Sequence, residues 1–112
     1  MRRVIHAGTT LANAVAVIYT FGDGLTSGGA IIKKLTLCNQ TNAARIATIY
    51  FTPSGVAAGV PYVIYHGTVA ADSSVSWDGP WHMDSGAVLR GELDADADVS
   101  LRATMAEEPL NV

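Results

Sequence analysis

Two stretches near the end of the chain alternate between apolar and polar residues, and they constrain the fold more than any other feature. In residues 99–105 an apolar residue at every odd position alternates with a polar residue at every even one, and residues 87–93 show a similar alternation. A period of two is typical of a β-strand with one buried face. Because the Asp- and Ala-rich residues 94–98 separate the two stretches, we predict that they pair antiparallel as a hairpin. A hairpin with one apolar face needs a second sheet to cover it.

Shorter stretches rich in β-branched and aromatic residues fill the rest of the chain. We predict strands over residues 14–20, 30–38, 45–52, 62–66 and 73–77. Turn residues separate them, at 21–29, 39–42, 53–55, 70–72 and 78–80. No stretch shows the period of an amphipathic helix. The pattern predicts an all-β chain folded as a single antiparallel β-sandwich (jelly-roll or immunoglobulin-like) of about seven or eight short strands, with a small barrel as the alternative.

The length of the chain predicts one domain, since 112 residues of which 49% are hydrophobic can fill a single core. Residues 1–10 show no helical period and are predicted to form an extended N-terminal arm. The β-sandwich domain is predicted to span residues 11–106. Residues 107–112 are predicted to be a short, exposed C-terminal tail.

The charge of the chain bears on its partners. A net charge of -3 with scattered basic residues argues against direct binding to nucleic acid, which needs clustered Lys and Arg. Only 15% of the residues are charged, well below the usual share of about a quarter, and this favours a surface that partner proteins cover. No apolar run is long enough for a membrane span or a signal peptide, so we expect no membrane partner and synthesis in the cytosol.

The sequence offers no pattern for a metal, a cofactor or catalysis. The three histidines fit no ligand spacing, and the lone Cys38 is expected to be a small buried residue. Residues 94–98 alternate Asp with Ala but lack the central Gly and final Glu of a calcium loop, so they are interpreted as a solvated turn. No serine lies in a Gly-x-Ser-x-Gly nucleophile elbow. The chain is therefore predicted not to be an enzyme.

Aromatic residues in the middle of the chain are the most informative candidates for binding. Tyr50 and Phe51 are predicted to lie in the core. Tyr62, Trp77 and Trp81 could either fill the sandwich or anchor a partner as interface hot spots. A second set of partner-contact candidates lies in the arm, at Arg2, Arg3, Val4 and Ile5.

Several segments together resemble a group of small β-sandwich virion proteins of tailed bacteriophages. The segments are residues 35–39, residues 41–45, a strand ending at 52–55, a strand containing Tyr65, then Trp77 ahead of Ser85-Gly86, and the closing strand at 99–104. The similarity covers about residues 30 to 106 and contains no catalytic signature. The resemblance implies a β-sandwich with a structural, non-enzymatic role in the virion, made in the cytoplasm of the host bacterium.

Three functions follow from these observations as hypotheses. The first is a capsid decoration (cement) protein that bridges capsomers, contacts the major capsid protein or other virion proteins, and forms a small symmetric oligomer such as a trimer. The second is a subunit of a neck, collar or tail ring. The third, from a different class, is a carbohydrate- or peptide-binding sandwich in which Tyr62, Trp77 and Trp81 line the site.

Overall fold

The computed structural model describes residues 3–22 and 29–108. These residues form eight strands and one turn of 3₁₀ helix, at Val60–Tyr62. The strands are β1 (Arg3–Thr10), β2 (Ala16–Thr20), β3 (Gly29–Asn39), β4 (Arg45–Thr52), β5 (Val63–Val69), β6 (Ser73–Met83), β7 (Val88–Leu93) and β8 (Val99–Glu108).

The strands form two four-stranded sheets, each antiparallel throughout. Sheet one has the order β1-β8-β3-β6, and sheet two has the order β2-β7-β4-β5. Two packed four-stranded sheets of this order form a jelly-roll. The prediction of an antiparallel β-sandwich is confirmed, and of the two kinds that were predicted the jelly-roll is the one observed.

The predicted closing hairpin is wrong. β7 lies between β2 and β4 in sheet two, whereas β8 lies between β1 and β3 in sheet one, so residues 94–98 carry the chain from one sheet to the other. The alternation of each strand correctly indicated which side chains face inward. It did not indicate the partner, because a strand with one apolar face can pair with any strand whose face is equivalent.

The core lies between the two sheets and is built from the inward-facing residues of the central strands. Along β8 the odd-numbered residues from Val99 to Met105 are all buried, as the alternation predicts. β3 contributes Leu35 and Leu37, and β4 contributes Ile49. These side chains are at most 1% exposed, so each of them except the small Ala103 gains close to its full burial energy of about 1.5–3 kcal/mol.

Residues 78–80, predicted to be a turn, lie inside a strand. β6 continues from Ser73 to Met83, and its register on β3 shifts so that Lys34 opposes Asp78 while Ile32 opposes Trp81. The shift is a β-bulge at an edge strand, where the missing N–H of a proline costs no ladder hydrogen bond. Gly and Pro therefore mark an irregular edge here and not a chain reversal.

Both ends of the described chain take part in sheet one. Residues 3–10, predicted as the arm, form β1 and pair with β8 from Arg3 opposite Glu107 to Thr10 opposite Ser100. Glu107, placed by the sequence in the exposed tail, belongs to β8 and is 6% exposed. Its Oε1 accepts a hydrogen bond of 2.8 Å from the Gly22 backbone N–H. The predicted turn at 21–29 and the rest of the tail lie largely outside the described residues.

Cys38 is half-buried and not in the core. Its neighbours Leu37 and Asn39 face inward on β3, so Cys38 points to the outer face of sheet one. The expectation of a buried cysteine was wrong because it followed the average behaviour of cysteine and not the alternation of this strand.

Candidate interaction surfaces

The structure divides the predicted contact residues between two opposite sides of the sandwich. In β1, Val4 is 56% exposed while Ile5 packs into the core at 8% exposure. Arg3 begins β1, and Arg2 lies outside the described residues. Tyr62, Trp77 and Trp81 belong to the other side, where β5 and β6 are the sheet edges.

Tyr62 and Trp81 come together and line one groove. The groove encloses about 300 Å³ between the start of β5 and the second half of β6. Its walls include Pro61, Ile64, Pro80 and Met83, and they present polar as well as apolar surface. Trp81 is placed there by the bulge in β6, since Ile32 opposes it after the register shift. The groove therefore offers two large half-buried aromatics to a partner, as interface anchors require.

Trp77 does not join this groove. Its ring stacks on Tyr65 with centroids 4.2 Å apart and an interplanar angle of 27°, and this pair closes the sandwich between β5 and β6. Its Nε1 is buried and has no hydrogen-bond partner in the described part of the chain. Trp77 and Trp81 both pack against the core, and Trp81 in addition lines the surface groove.

A second groove, on the outer face of sheet two, was missed by the sequence reasoning. It encloses about 410 Å³ and is lined by Thr48, Tyr50, Val60, Val63, His66 and Glu92. Thr48 Oγ1 and His66 Nδ1 share a hydrogen bond of 2.8 Å, and the Tyr50 hydroxyl donates one of 2.6 Å to Glu92 Oε1. The hydrogen bond to Glu92, followed by burial and the negative charge of Glu92, raises the pKa of Tyr50 above its usual value.

The prediction that Tyr50 and Phe51 both lie in the core is wrong for Tyr50. Phe51 is 2% exposed and is a core residue, whereas Tyr50 is half-buried on the opposite face of β4. Successive residues of a strand point to opposite faces, so both rings could not enter the same core. Applying the alternation at this position would have placed Tyr50 on the outer face, but not beside Glu92.

Arg90 is held next to this second groove. Its Nη1 donates hydrogen bonds to Thr52 Oγ1 at 3.3 Å and to the Val56 carbonyl at 2.8 Å. Thr52 in turn is fully buried and donates to the Val88 carbonyl. Arg90 thus holds the loop after β4 through its hydrogen bond to the Val56 carbonyl. Glu92, two residues further along β7, accepts the hydrogen bond of Tyr50.

The outer face of sheet one is populated by small and polar residues. Thr36, Ser76 and Ser100 occupy adjacent strands at outward-facing positions, opposite Arg102, Thr36 and Cys38 respectively. At these positions the face presents hydroxyl groups. It is suited to polar contacts with a neighbour or with water and offers no aromatic anchor.

Among residues 3–22 and 29–108, no group of three or more His, Cys, Asp or Glu side chains is arranged to hold a metal ion. The Asp94, Asp96 and Asp98 side chains are exposed, as a solvated turn predicts. Asp96 Oδ1 accepts a hydrogen bond of 2.8 Å from the Asn13 N–H. The described residues also include no helix long and apolar enough to cross a membrane.

Comparison with known proteins places the chain by fold alone. No protein-family model matches it, and no curated protein sequence matches it. Among solved structures, a subunit of the disulfide-linked pili that form Bacillus endospore appendages is similar over 99% of this chain and 88% of its own length, with a TM-score of 0.59 and 17% identity. A chain from the acid-stable capsid of a Helicobacter pylori bacteriophage is similar over 96% of this chain and 88% of its own length, with a TM-score of 0.58 and 12% identity. At these identities the likeness shows a shared jelly-roll-type sandwich.

Proposed function

We propose that this chain is a structural virion protein of a tailed phage, and that it acts as a capsid decoration protein which bridges capsomers and stabilises the shell. The observation that carries the proposal is the fold, which the chain shares over almost its whole length with a phage capsid protein. The pilus subunit with the same fold is likewise a component of a protein assembly. Both likenesses support a structural role over an enzymatic one.

The groove of Tyr62 and Trp81 is the proposed contact with the major capsid protein. Burial of two aromatic rings in a partner's pocket concentrates binding energy in a few residues. Because few residues of the chain are charged, the free-energy cost of desolvating the contact is low. Contacts of this kind across a seam between capsomers would hold the shell together against the internal pressure of packaged DNA. The arm residues Arg2, Arg3 and Val4 are proposed to contact a neighbouring subunit on the opposite side, whereas Ile5 is buried in the core and holds β1 in place.

Binding to empty shells of the same phage tests the proposal. Purified protein should cosediment with the shells and raise their disassembly temperature. Trp81→Ala should weaken binding by at least about tenfold, the usual effect of truncating an interface hot spot. Ser76→Ala, an exposed position on the same strand, should bind as the unaltered protein does. Shells that neither bind the protein nor gain heat stability would refute the decoration role.

Copy number distinguishes the shell from the neck or tail. A decoration protein should be present in hundreds of copies per particle, whereas a neck, collar or tail ring subunit should be present in about six to twelve. Quantitative mass spectrometry of purified particles, scaled to the major capsid protein, gives this number. A low count would move the proposal to the axis of the particle while leaving its structural character unchanged.

A carbohydrate- or peptide-binding module is the second candidate, and the pairing of Tyr62 with Trp81 favours it. Two aromatic rings in a groove with nearby polar groups can stack on a sugar or hold a proline-rich segment. Glycan-array binding that is lost in Trp81→Ala would support this function. Trp77 would play no part in it, because its ring is stacked on that of Tyr65.

A further inference from the structure

The free edge of β1 differs from the other sheet edges of the described chain. An edge strand exposes unpaired N–H and C=O groups, which natural proteins blunt with bulges, prolines or charges. The register of β2 is irregular between Val17 and Tyr19, and β6 contains a bulge with Pro80. The β4–β5 pairing also shifts, between Ile49 and Tyr50. Of the four edge strands, β1 is the one that keeps an unbroken register along its whole length.

The composition of β1 leaves this edge open to another strand. Its residues from Val4 to Thr10 include no proline and no Lys, Arg, Asp or Glu. The Leu11 N–H donates to the Val99 carbonyl at 2.9 Å, so odd-numbered residues direct their backbone groups to β8. Even-numbered residues therefore direct theirs to the free edge, and these are Val4, His6, Gly8 and Thr10.

The two ends of this edge differ in the charged residues that the sequence places there. Arg2 and Arg3 stand at its start in the sequence. At its other end, Thr10 opposes Ser100, and the Asn13 N–H donates to Asp96, so the acidic loop of residues 94–98 lies beside the end of the strand. Asp96 and Asp98 are exposed there. The start of the edge strand therefore has two basic residues in the sequence, of which Arg3 lies opposite Glu107 of β8, and the strand ends beside an acidic loop.

We propose that β1 pairs antiparallel with β1 of a second copy of the chain, so that the basic start of each strand meets the acidic loop of the other. The register of fullest overlap sets Val4 opposite Thr10 and His6 opposite Gly8 of the second copy, and all the edge-facing backbone groups are then paired. Arg3 comes to lie beside Leu11 of the second copy, next to its acidic loop. A parallel arrangement would instead set like charges side by side.

This pairing joins sheet one of both copies into one continuous sheet across a two-fold axis. The contact is isologous, and it consumes the exposed edge that would otherwise be open to uncontrolled association. The groove of Tyr62 and Trp81 lies on the far side of the sandwich and stays accessible. The inference concerns only how two copies meet, and it does not rest on the proposed function in the virion.

A charge-swap experiment tests the orientation. One variant carries Arg2→Glu and Arg3→Glu, and the other carries Asp96→Lys and Asp98→Lys. The unaltered protein should sediment as a dimer whose dissociation constant rises with salt, and each variant alone should dimerise at least about tenfold more weakly. An equimolar mixture of the two variants should recover the dimer, because both contacts then join opposite charges. A monomeric unaltered protein, or a mixture no tighter than either variant alone, would overturn the proposal.

A proline substitution tests the edge itself. His6→Pro removes an N–H that faces the free edge and takes no part in the β8 ladder, so the dimer should be lost while the far-UV circular dichroism spectrum is kept. His6→Ala keeps the N–H and should dimerise as the unaltered protein does. A dimer that persists in a folded His6→Pro variant, including one formed by exchange of β1 between copies, contradicts edge pairing. If His6→Pro does not fold, the charge-swap mixture decides the question. Both experiments use purified protein without shells, so their failure is separate from a failure of shell binding.

Discussion

Asn39 shows what a single buried polar residue contributes to this fold. It is 1% exposed, and its Nδ2 donates to the carbonyls of Ala43 and Val69 at 2.9 and 3.0 Å. Its Oδ1 accepts hydrogen bonds from both the N–H and the hydroxyl of Thr41. One side chain thus holds the turn after β3 and ties it to the end of β5.

We therefore expect Asn39→Ala to lower the free energy of unfolding by about 3 kcal/mol, because it removes a hydrogen-bond donor from the buried Val69 carbonyl and the acceptor from the Thr41 N–H. Urea titration followed by tryptophan fluorescence measures the loss. Asn42→Ala is the control, since Asn42 is exposed in the same turn and its loss should cost less than about 0.5 kcal/mol. Equal effects of the two substitutions would mean that the hydrogen bonds of Asn39 add nothing to the turn.

The raised pKa of Tyr50 predicts that the stability of the fold depends on pH in the alkaline range. Its pKa is raised in the folded state, chiefly by the hydrogen bond to Glu92, so the folded chain holds the phenolic proton more tightly than the unfolded chain. This contribution is fully present below the unfolded pKa of about 10 and is lost as the pH rises through the higher folded value. Thermal unfolding between about pH 9 and 11 should thus decline less steeply in Tyr50→Phe than in the unaltered protein. Parallel declines would show that the hydrogen bond is absent in solution.

At the residue scale, the sequence predicts faces well and partners poorly. The alternation of residues 99–105 correctly assigned every buried side chain of that stretch. It could not predict the hydrogen bonds of Asn39, because the Val69 carbonyl comes from a strand that is distant in sequence. The same limit applies to Tyr50 and Glu92, which meet only because β4 and β7 are neighbours.

At the scale of the element, Gly79 permits the bulge that positions Trp81. A Cβ at Gly79 would lie 2.5 Å from the Ile32 carbonyl oxygen and 2.8 Å from the Trp81 N, both backbone atoms that cannot move independently. We expect Gly79→Ala to cost about 2 kcal/mol of stability and to weaken shell binding through the displaced Trp81. The control is Gly8→Ala, where a Cβ would make an ordinary contact of 3.6 Å with the Leu101 oxygen. If the two variants unfold at the same temperature, the bulge tolerates a side chain and the prediction is wrong.

Elements could be predicted where composition and alternation agree. β4 was predicted with its observed bounds, because β-branched and aromatic residues run up to a Pro-Ser-Gly stop. β6 was cut short at Trp77 because Asp78-Gly79-Pro80 has the composition of a turn. Only the neighbouring strand β3, which continues to pair beyond the bulge, keeps β6 extended to Met83.

At the scale of the whole molecule, the pairing of distant segments decides the fold. β1 and β3 both pair with β8, so sheet one cannot form without residues 99–108. The sequence indicated two layers, since each strand has one apolar face that needs a cover. It did not indicate the order, because the loop of residues 94–98 is as compatible with a hairpin as with a passage between sheets.

This topology predicts unequal effects of shortening the chain at its two ends. Deletion of residues 99–112 removes the partner of both β1 and β3 together with the buried Leu101 and Met105, so we expect no cooperative unfolding transition. Deletion of residues 1–10 removes only an edge strand, and its largest buried loss is Ile5, worth about 1.5–3 kcal/mol. That shorter chain should stay folded, with a lower melting temperature and as a monomer, since it lacks the edge proposed for pairing. Circular dichroism during heating, combined with sedimentation, measures both properties. If the chain without residues 1–10 is unfolded, the prediction that β1 adds only the burial of Ile5 is wrong. If that chain is folded and remains a dimer, β1 is not the edge that pairs.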